Sequence, residues 1–147
     1  QPDCAMSVNH TIGKFDSKGG APKKYRPENY KENMPIKYFP SDFRLLDPFF
    51  PPQNDPKIYE HAGKHYYLPF EATICIRNMT NWFWDTKYTN DLLMSTDFIV
   101  EKYKQLIGKS NTLVVNVAPN IYGKQEESDV KRLYEVADQL GIRREVL

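Results

Sequence analysis

The sequence predicts an α/β fold in which helices connect parallel strands. Residues 112–117, Thr-Leu-Val-Val-Asn-Val, form a near-continuous apolar run, which is typical of a strand buried on both faces of a parallel sheet. Apolar residues at helical spacing lie on both sides of this run, over residues 95–107 and 128–140. The order helix, strand, helix therefore indicates crossover connections between parallel strands.

Two further strands are predicted upstream. Residues 3–9 are short and mostly apolar, which fits a buried strand. Residues 65–76 are apolar and aromatic and form another strand, which Pro69 can interrupt because proline has no amide donor. Between these two strands, residues 13–64 are rich in proline and show no sustained period, so we expect a long loop excursion there.

Both predicted helices carry boundary signals. Ser95 or Thr96 can cap the first helix, and Gly108 follows its end. Gly141 follows the last periodic residue of the second helix. These signals fix the approximate length of each helix.

The predicted strands are too few to close a sheet. A (β/α)8 barrel takes about 250 residues, whereas this chain has 147. We therefore interpret the chain as the later part of a TIM-type barrel, with residues 1–147 as one C-terminal portion that is incomplete as a barrel.

Composition excludes several classes of function. Lys and Arg number 20 against 19 Asp and Glu, so no strong field favours nucleic acid or an anionic membrane as a partner. No apolar run approaches the roughly 18 residues of a membrane-spanning helix. The sequence has no glycine-rich phosphate loop, and its histidines lack the spacing of metal ligands. We therefore predict no cofactor and no metal, and the 14% aromatic content resembles that of carbohydrate-active proteins.

Glu71 is the carboxylate that stands out in the sequence. It is flanked by Phe70 and Ala72 in an apolar, aromatic strand. Burial there disfavours the charged form and raises the carboxyl pKa, which suits a general acid at neutral pH. The alternative is a structural Glu that forms a salt bridge with an Arg or Lys.

An aromatic loop follows ten residues after Glu71, with the sequence Asn81-Trp-Phe-Trp-Asp85. Trp82 and Trp84 can supply flat surfaces on which sugar rings stack. Packing of both indoles into the fold is the alternative.

Four pieces of the chain, in this order, resemble the second half of the catalytic domain of glycoside hydrolase family 29, the α-L-fucosidases. The fourth piece is the most specific, with the pattern Asn-x-Leu-x-x-Asn-Val-x-Pro. The pieces are Met6-Ser-Val-Asn9, Phe70-Glu71, residues 81–85 and Ser110-Asn-Thr-Leu-Val-Val-Asn-Val-Ala-Pro119.

The resemblance implies a retaining exo-glycosidase that hydrolyses terminal α-L-fucosides, or a related sugar, from glycans. Glu71 matches the general acid/base, whereas the nucleophilic Asp of the family lies on an earlier strand, upstream of this chain. Asn9 and His10 stand where the family contacts the sugar, and the family's Arg in this piece is replaced, because His10 and Thr11 follow Asn9. The resemblance also implies an isolated segment without activity and an extracellular, periplasmic or lysosomal location.

One alternative function and one geometric condition stay open. Loss of that Arg, together with Phe83 at a position where the family has Gly and where a ring would crowd the aromatic loop, favours a non-catalytic carbohydrate-binding or structural relative. The acid/base role also has a geometric condition, because barrel active sites lie at the carboxyl ends of strands. Glu71 satisfies it if its strand spans residues 65–71, and fails it if the strand spans residues 71–76.

Overall fold

A parallel sheet with two helices organises the chain. The computed structural model describes residues 3–13 and 27–142. The strands are β1 (Arg44–Leu45), β2 (Ile58–His61), β3 (Lys64–Tyr67), β4 (Phe70–Cys75) and β5 (Thr112–Asn116), and the helices are α1 (Thr96–Ile107) and α2 (Glu127–Leu140). Single 3-10 turns lie at Pro27–Asn29 and Asn90–Leu92. The predicted α/β class with a parallel sheet is therefore confirmed.

The main sheet has the order β1-β4-β5, and all of its pairings are parallel. Its strands are staggered, because Leu45 at the end of β1 lies opposite Glu71 near the start of β4. β5 runs level with β4 from Thr112, opposite Glu71, to Asn116, opposite Cys75. The carboxyl end of β1 is thus next to the amino end of β4.

The two faces of this sheet differ. Phe70, Ala72 and Ile74 on alternate positions of β4 are all at most 1% exposed. They lie on the face covered by α1, α2 and the long segment before β2, where two clusters of apolar side chains form the core. On the other face the described residues leave Thr112 and Val114 of β5 exposed. The expectation that β5 is buried on both faces is therefore wrong for the described chain.

Both helix predictions are confirmed. Ser95 caps α1, because its hydroxyl accepts a hydrogen bond from the Phe98 amide at 3.2 Å. Gly141 ends α2 with φ = 67°, a left-handed conformation that glycine adopts without a Cβ penalty.

The predicted strand at residues 3–9 is not formed. Only Asn9 makes a strand-like bridge, parallel to Leu45. Upstream of it, Asp42 holds the backbone of Met6, through the Met6 amide and carbonyl at 2.7 Å each. These isolated contacts replace a continuous ladder, and most side chains of this segment, including Cys4, are exposed.

The predicted loop excursion over residues 13–64 contains more structure than expected. β1, β2 and several core residues lie within it, among them Tyr30, Ile36 and Tyr59, each at most 5% exposed. The sequence concealed them because the strands are two and four residues long, too short to produce a visible period. Residues 14–26 of this prediction lie outside the described residues.

The strand predicted over residues 65–76 is two strands. β3 pairs antiparallel with β2, and β4 joins the parallel sheet. The break falls at Leu68 and Pro69, as expected from the missing proline amide, and the Pro69 carbonyl accepts from the Arg44 amide at 2.7 Å.

Candidate active site

The candidate site lies on the open face of the sheet. Side chains alternate along a strand, so Glu71, Thr73 and Cys75 project from the same face of β4. Asn116 of β5 lies opposite Cys75 on that face, and its amide contacts the Cys75 sulfur at 3.7 Å. A line of polar groups therefore runs along β4 toward the carboxyl edge of the sheet.

Glu71 is half-buried at the amino end of this line. Burial raises the pKa of its carboxyl, the negative charge of Asp47 raises it further, and a hydrogen bond with the Thr73 hydroxyl opposes both effects. Among the described residues no Arg or Lys forms a salt bridge with Glu71. The reading of Glu71 as half of an ion pair is therefore not supported.

The strand bearing Glu71 has the register that fails the geometric condition. β4 begins at Phe70, so Glu71 is its second residue rather than its last. Glu71 is nevertheless level with the end of β1, because Leu45 lies opposite it. Glu71 therefore lies beside the carboxyl end of β1, although it is near the amino end of its own strand.

Asp47 is the site residue that sequence reasoning missed. It follows the end of β1 by two residues. Its Oδ2 accepts a hydrogen bond from Asn9 Nδ2 at 3.2 Å, whereas its Oδ1 is buried and without a hydrogen-bond partner in the described chain. Burial raises the pKa of Asp47, against smaller lowering effects of the Thr73 hydroxyl and of His10. The available signal was an acid directly after the apolar pair Leu45-Leu46.

The negative charge of Asp47 acts on two groups of β4. The charge of Asp47 raises the pKa of Glu71, and it also contributes to raising the pKa of the Cys75 thiol, for which burial is the larger cause. Burial raises the pKa of both carboxyls, and the Thr73 hydroxyl opposes this effect at each of them. A carboxyl that keeps a proton can donate it to a leaving group.

Asn9 and His10 lie beside this carboxyl pair. Asn9 contacts Asp47 directly, and its Oδ1 accepts from the His10 amide at 2.9 Å. His10 has φ = 63°, and its amide also donates to the Leu45 carbonyl at 2.9 Å. The predicted residues Asn9, His10 and Glu71 are therefore brought together, around an Asp that was not predicted.

The aromatic loop lies at the carboxyl edge of the sheet. Asn116 Nδ2 donates to the Trp82 carbonyl at 3.1 Å, and Trp84 Nε1 donates to Glu126 Oε1 at 2.9 Å. Both indoles are half-buried. Phe83 between them is 85% exposed, so its ring points away from the loop and the expected crowding is wrong.

The described residues contain neither a metal-binding cluster nor a membrane-spanning helix. Residues 3–13 and 27–142 contain no group of three His, Cys, Asp or Glu side chains arranged to hold a metal ion. In the same ranges, neither helix has the length and apolar character needed to cross a bilayer.

Comparisons with known proteins give partial overlaps. No family model and no curated protein matches the chain. A provisionally assigned alpha-L-fucosidase from Bacteroides thetaiotaomicron VPI-5482 is 24% identical, with a TM-score of 0.47, over 55% of this chain and 19% of that one. Another, from Bacteroides ovatus ATCC 8483, is 30% identical, with a TM-score of 0.46, over 54% of this chain and 13% of that one.

The crystal structure of SpGH29 overlaps with 50% of this chain and 15% of its own, at 30% identity and a TM-score of 0.43. The chain spans less than a fifth of the length of each of these three proteins.

Proposed function

We propose that this chain is part of a retaining exo-glycosidase that removes terminal α-L-fucose, or a related sugar, from glycans, and that its sheet belongs to a (β/α)8 barrel. The observation that carries the proposal is the placement of two half-buried carboxyls, Asp47 just after the end of β1 and Glu71 on the open face of β4, beside Asn9 and His10. The four sequence pieces similar to family 29 support the substrate class. The extracellular, periplasmic or lysosomal location is implied by the same resemblance.

The pair would act as the general acid/base. In a retaining mechanism one carboxylate attacks the anomeric carbon, and a second carboxyl, about 5–5.5 Å away, protonates the leaving oxygen. The second carboxyl then takes a proton from the water that hydrolyses the glycosyl-enzyme. The resemblance assigns the attacking Asp to an upstream strand, so this chain would supply the proton donor.

Asp47 is the better candidate for the group that touches the glycosidic oxygen. It follows the carboxyl end of β1, which is where barrel enzymes place catalytic groups, whereas Glu71 follows the amino end of β4. We therefore propose that Asp47 and Glu71 together take the role that the sequence predicts for Glu71 alone. Burial raises the pKa of both carboxyls, which favours the protonated form that a proton donor needs.

The hydrogen-bonding groups around the pair suit a sugar. Asn9 and His10 flank Asp47 on one side, and Asn116 leads from Cys75 to the aromatic loop on the other. We propose that Asn9 and His10 contact the hydroxyls of the sugar, and that Trp82 and Trp84 provide the stacking surface. This reaction requires no cofactor.

The test compares Asp47→Asn, Glu71→Gln and the control Glu101→Gln in the complete protein. Glu101 is an exposed carboxylate on α1. We expect Asp47→Asn to slow hydrolysis of fucosides with poor leaving groups by about 10²–10⁴-fold, because general acid catalysis is lost. Fucosides with activated aryl leaving groups should retain most of their rate when azide is added, since azide needs no general base.

Other results would redirect the assignment. If azide rescues Glu71→Gln while Asp47→Asn is as active as the control, Glu71 alone is the acid/base. If both variants keep full activity, the pair has no catalytic role. If the complete protein binds fucosides without turnover, the non-catalytic carbohydrate-binding alternative is correct.

A further inference from the structure

The fully buried guanidinium of Arg77 lies just beyond the carboxyl end of β4. Its Nε donates to Asp129 Oδ1 at 2.8 Å, and its NH2 group lies 2.6 Å from the same oxygen. Both side chains of this ion pair are 0% exposed. Such a pair is costly to bury, so it persists only where its geometry and additional hydrogen bonds compensate for desolvation.

The additional hydrogen bonds join two different parts of the fold. Arg77 donates to the Thr89 carbonyl and to Asn90 Oδ1, which end the tryptophan loop, defined here as residues 81–90. It also donates to Ser128 Oγ at 2.7 Å, in the first turn of α2. One side chain thus ties the end of this loop to the start of a helix.

Tyr88 closes the arrangement from within the loop. Its ring lies 4.3 Å from the Arg77 guanidinium, and its hydroxyl donates to Asp129 Oδ2 at 3.1 Å. Asp129 therefore receives hydrogen bonds from both the strand end and the loop. The start of α2 holds the loop a second time, through Glu126 and Trp84.

We propose that Arg77 and Asp129 are positioning residues that fix the tryptophan loop for sugar binding, an inference that rests on the proposed function above. They contact no part of the carboxyl pair. They act through the loop, whose indoles would otherwise sample several positions at the carboxyl edge of the sheet. Misplacement of a substrate-positioning group by about 1 Å can cost about 10²-fold in rate.

The experiment applies one substitution at two buried ion pairs. Arg77→Lys keeps a cation beside Asp129 but loses the planar fork that reaches Thr89, Asn90 and Ser128. Arg44→Lys is the matched control, because Arg44 is also 0% exposed and paired with an Asp, but at the amino edge of the sheet. Hydrogen exchange of residues 81–90 and the KM and kcat of an aryl α-L-fucoside are measured in the complete protein.

We expect Arg77→Lys to speed exchange in the tryptophan loop and to raise KM at least tenfold with a smaller change in kcat. Arg44→Lys should leave both the loop and KM unchanged. Tyr88→Phe, which removes only the hydroxyl bonded to Asp129, should show the same loop effect more weakly, and it decides the matter if Arg77→Lys fails to fold.

The proposal is overturned if loop exchange is unchanged in Arg77→Lys and in Tyr88→Phe, or if Arg44→Lys raises KM equally. Absence of any glycoside hydrolysis in the unmodified protein contradicts the proposed function instead. The exchange measurement still decides in that case whether Arg77 holds the loop.

Discussion

Two buried Arg–Asp pairs hold opposite edges of the same sheet. At the amino edge, Arg44 opens β1 and pairs with Asp55 at 2.8 Å. At the carboxyl edge, Arg77 follows β4 and pairs with Asp129. The two pairs share residue types and burial, so the difference in what surrounds them indicates how the two edges are used.

The amino-edge pair joins the beginnings of strands to one another. Asp55 faces a second cation, Lys57, and accepts from Asn111 Nδ2 at 2.6 Å. Asn111 in turn accepts from the Phe70 amide at 2.7 Å, at the first residue of β4. These contacts join the start of β4, the residue preceding β5 and the segment before β2. This edge therefore serves stability, whereas the pair at the other edge holds a loop.

The largest expected effect comes from removing one acid from either pair. Asp55→Ala and Asp129→Ala each leave a buried Arg without its carboxylate, which costs about 3–5 kcal/mol of unfolding free energy. Asp55→Ala should cost more, because Lys57 and the Asn111 amide also lose their bonds to this carboxylate. Urea unfolding of the complete protein measures both, and equal losses would contradict the difference between the edges.

The next largest expected effect is a loss of stability at low pH, caused by protonation of Asp55 at the amino edge. Burial alone would raise the pKa of Asp55, but hydrogen bonds from Lys57, Asn111 and Arg44, with the charge of Arg44, hold the pKa below its ordinary value of 3.8. A lowered folded-state pKa contributes stability that is present above about pH 3.8 and is lost as the pH falls through the folded value.

Asp55→Asn should therefore flatten the dependence of unfolding free energy on pH below 3.8. Asp97→Asn, at an exposed carboxylate in the first turn of α1, is the control. If Asp55→Asn loses unfolding free energy as steeply with falling pH as Asp97→Asn does, Asp55 is not the acid-sensitive group.

A smaller effect, from loss of the α1 cap, tests whether the tryptophan loop depends on the helix beside it. Ser95→Ala removes the hydroxyl that caps α1, and such a change costs about 1 kcal/mol. Because Ser95 is not bonded to Arg77 or Asp129, hydrogen exchange in residues 81–90 should not change. Faster exchange there would mean that α1, rather than the ion pair, restrains the loop. Ser95→Asp keeps a capping acceptor and should restore most of the stability.

The sequence allowed the helices and β5 to be predicted because each has a long period or a continuous apolar run with boundary residues. β1 has two residues, which is too few for a period. Its end nevertheless determines where Asp47 lies along the sheet. For the same reason the register of Glu71 stayed open, since Pro69 divides one apolar segment into an antiparallel and a parallel strand.

The site was accessible from sequence only in part. Glu71 and the tryptophans were found through local patterns in the sequence, and Asn9 through the resemblance to family 29. Asp47 and the partners of Arg77 were not, because both depend on contacts between distant segments. Asp129 is 52 residues from Arg77, and Asn9 is 38 residues from Asp47. No spacing rule along the chain connects such pairs.

The smallest expected effect has the opposite sign and tests the site itself. Burial and the charge of Asp47 raise the pKa of Glu71 above its ordinary value of 4.5, so folding favours the protonated form. A raised folded-state pKa means that stability is full below about pH 4.5 and declines as the pH rises through the folded value.

Glu71→Gln, which mimics the protonated carboxyl, should therefore unfold at a slightly higher temperature than the unmodified protein at pH 7, and at the same temperature near pH 4. The exposed Glu101→Gln should show no such difference between the two pH values. A structural carboxylate would give the reverse result, as we expect for Asp55→Asn. A loss of stability in Glu71→Gln at pH 7 would therefore mean that Glu71 stabilises the fold, as Asp55 does, and is not part of the site.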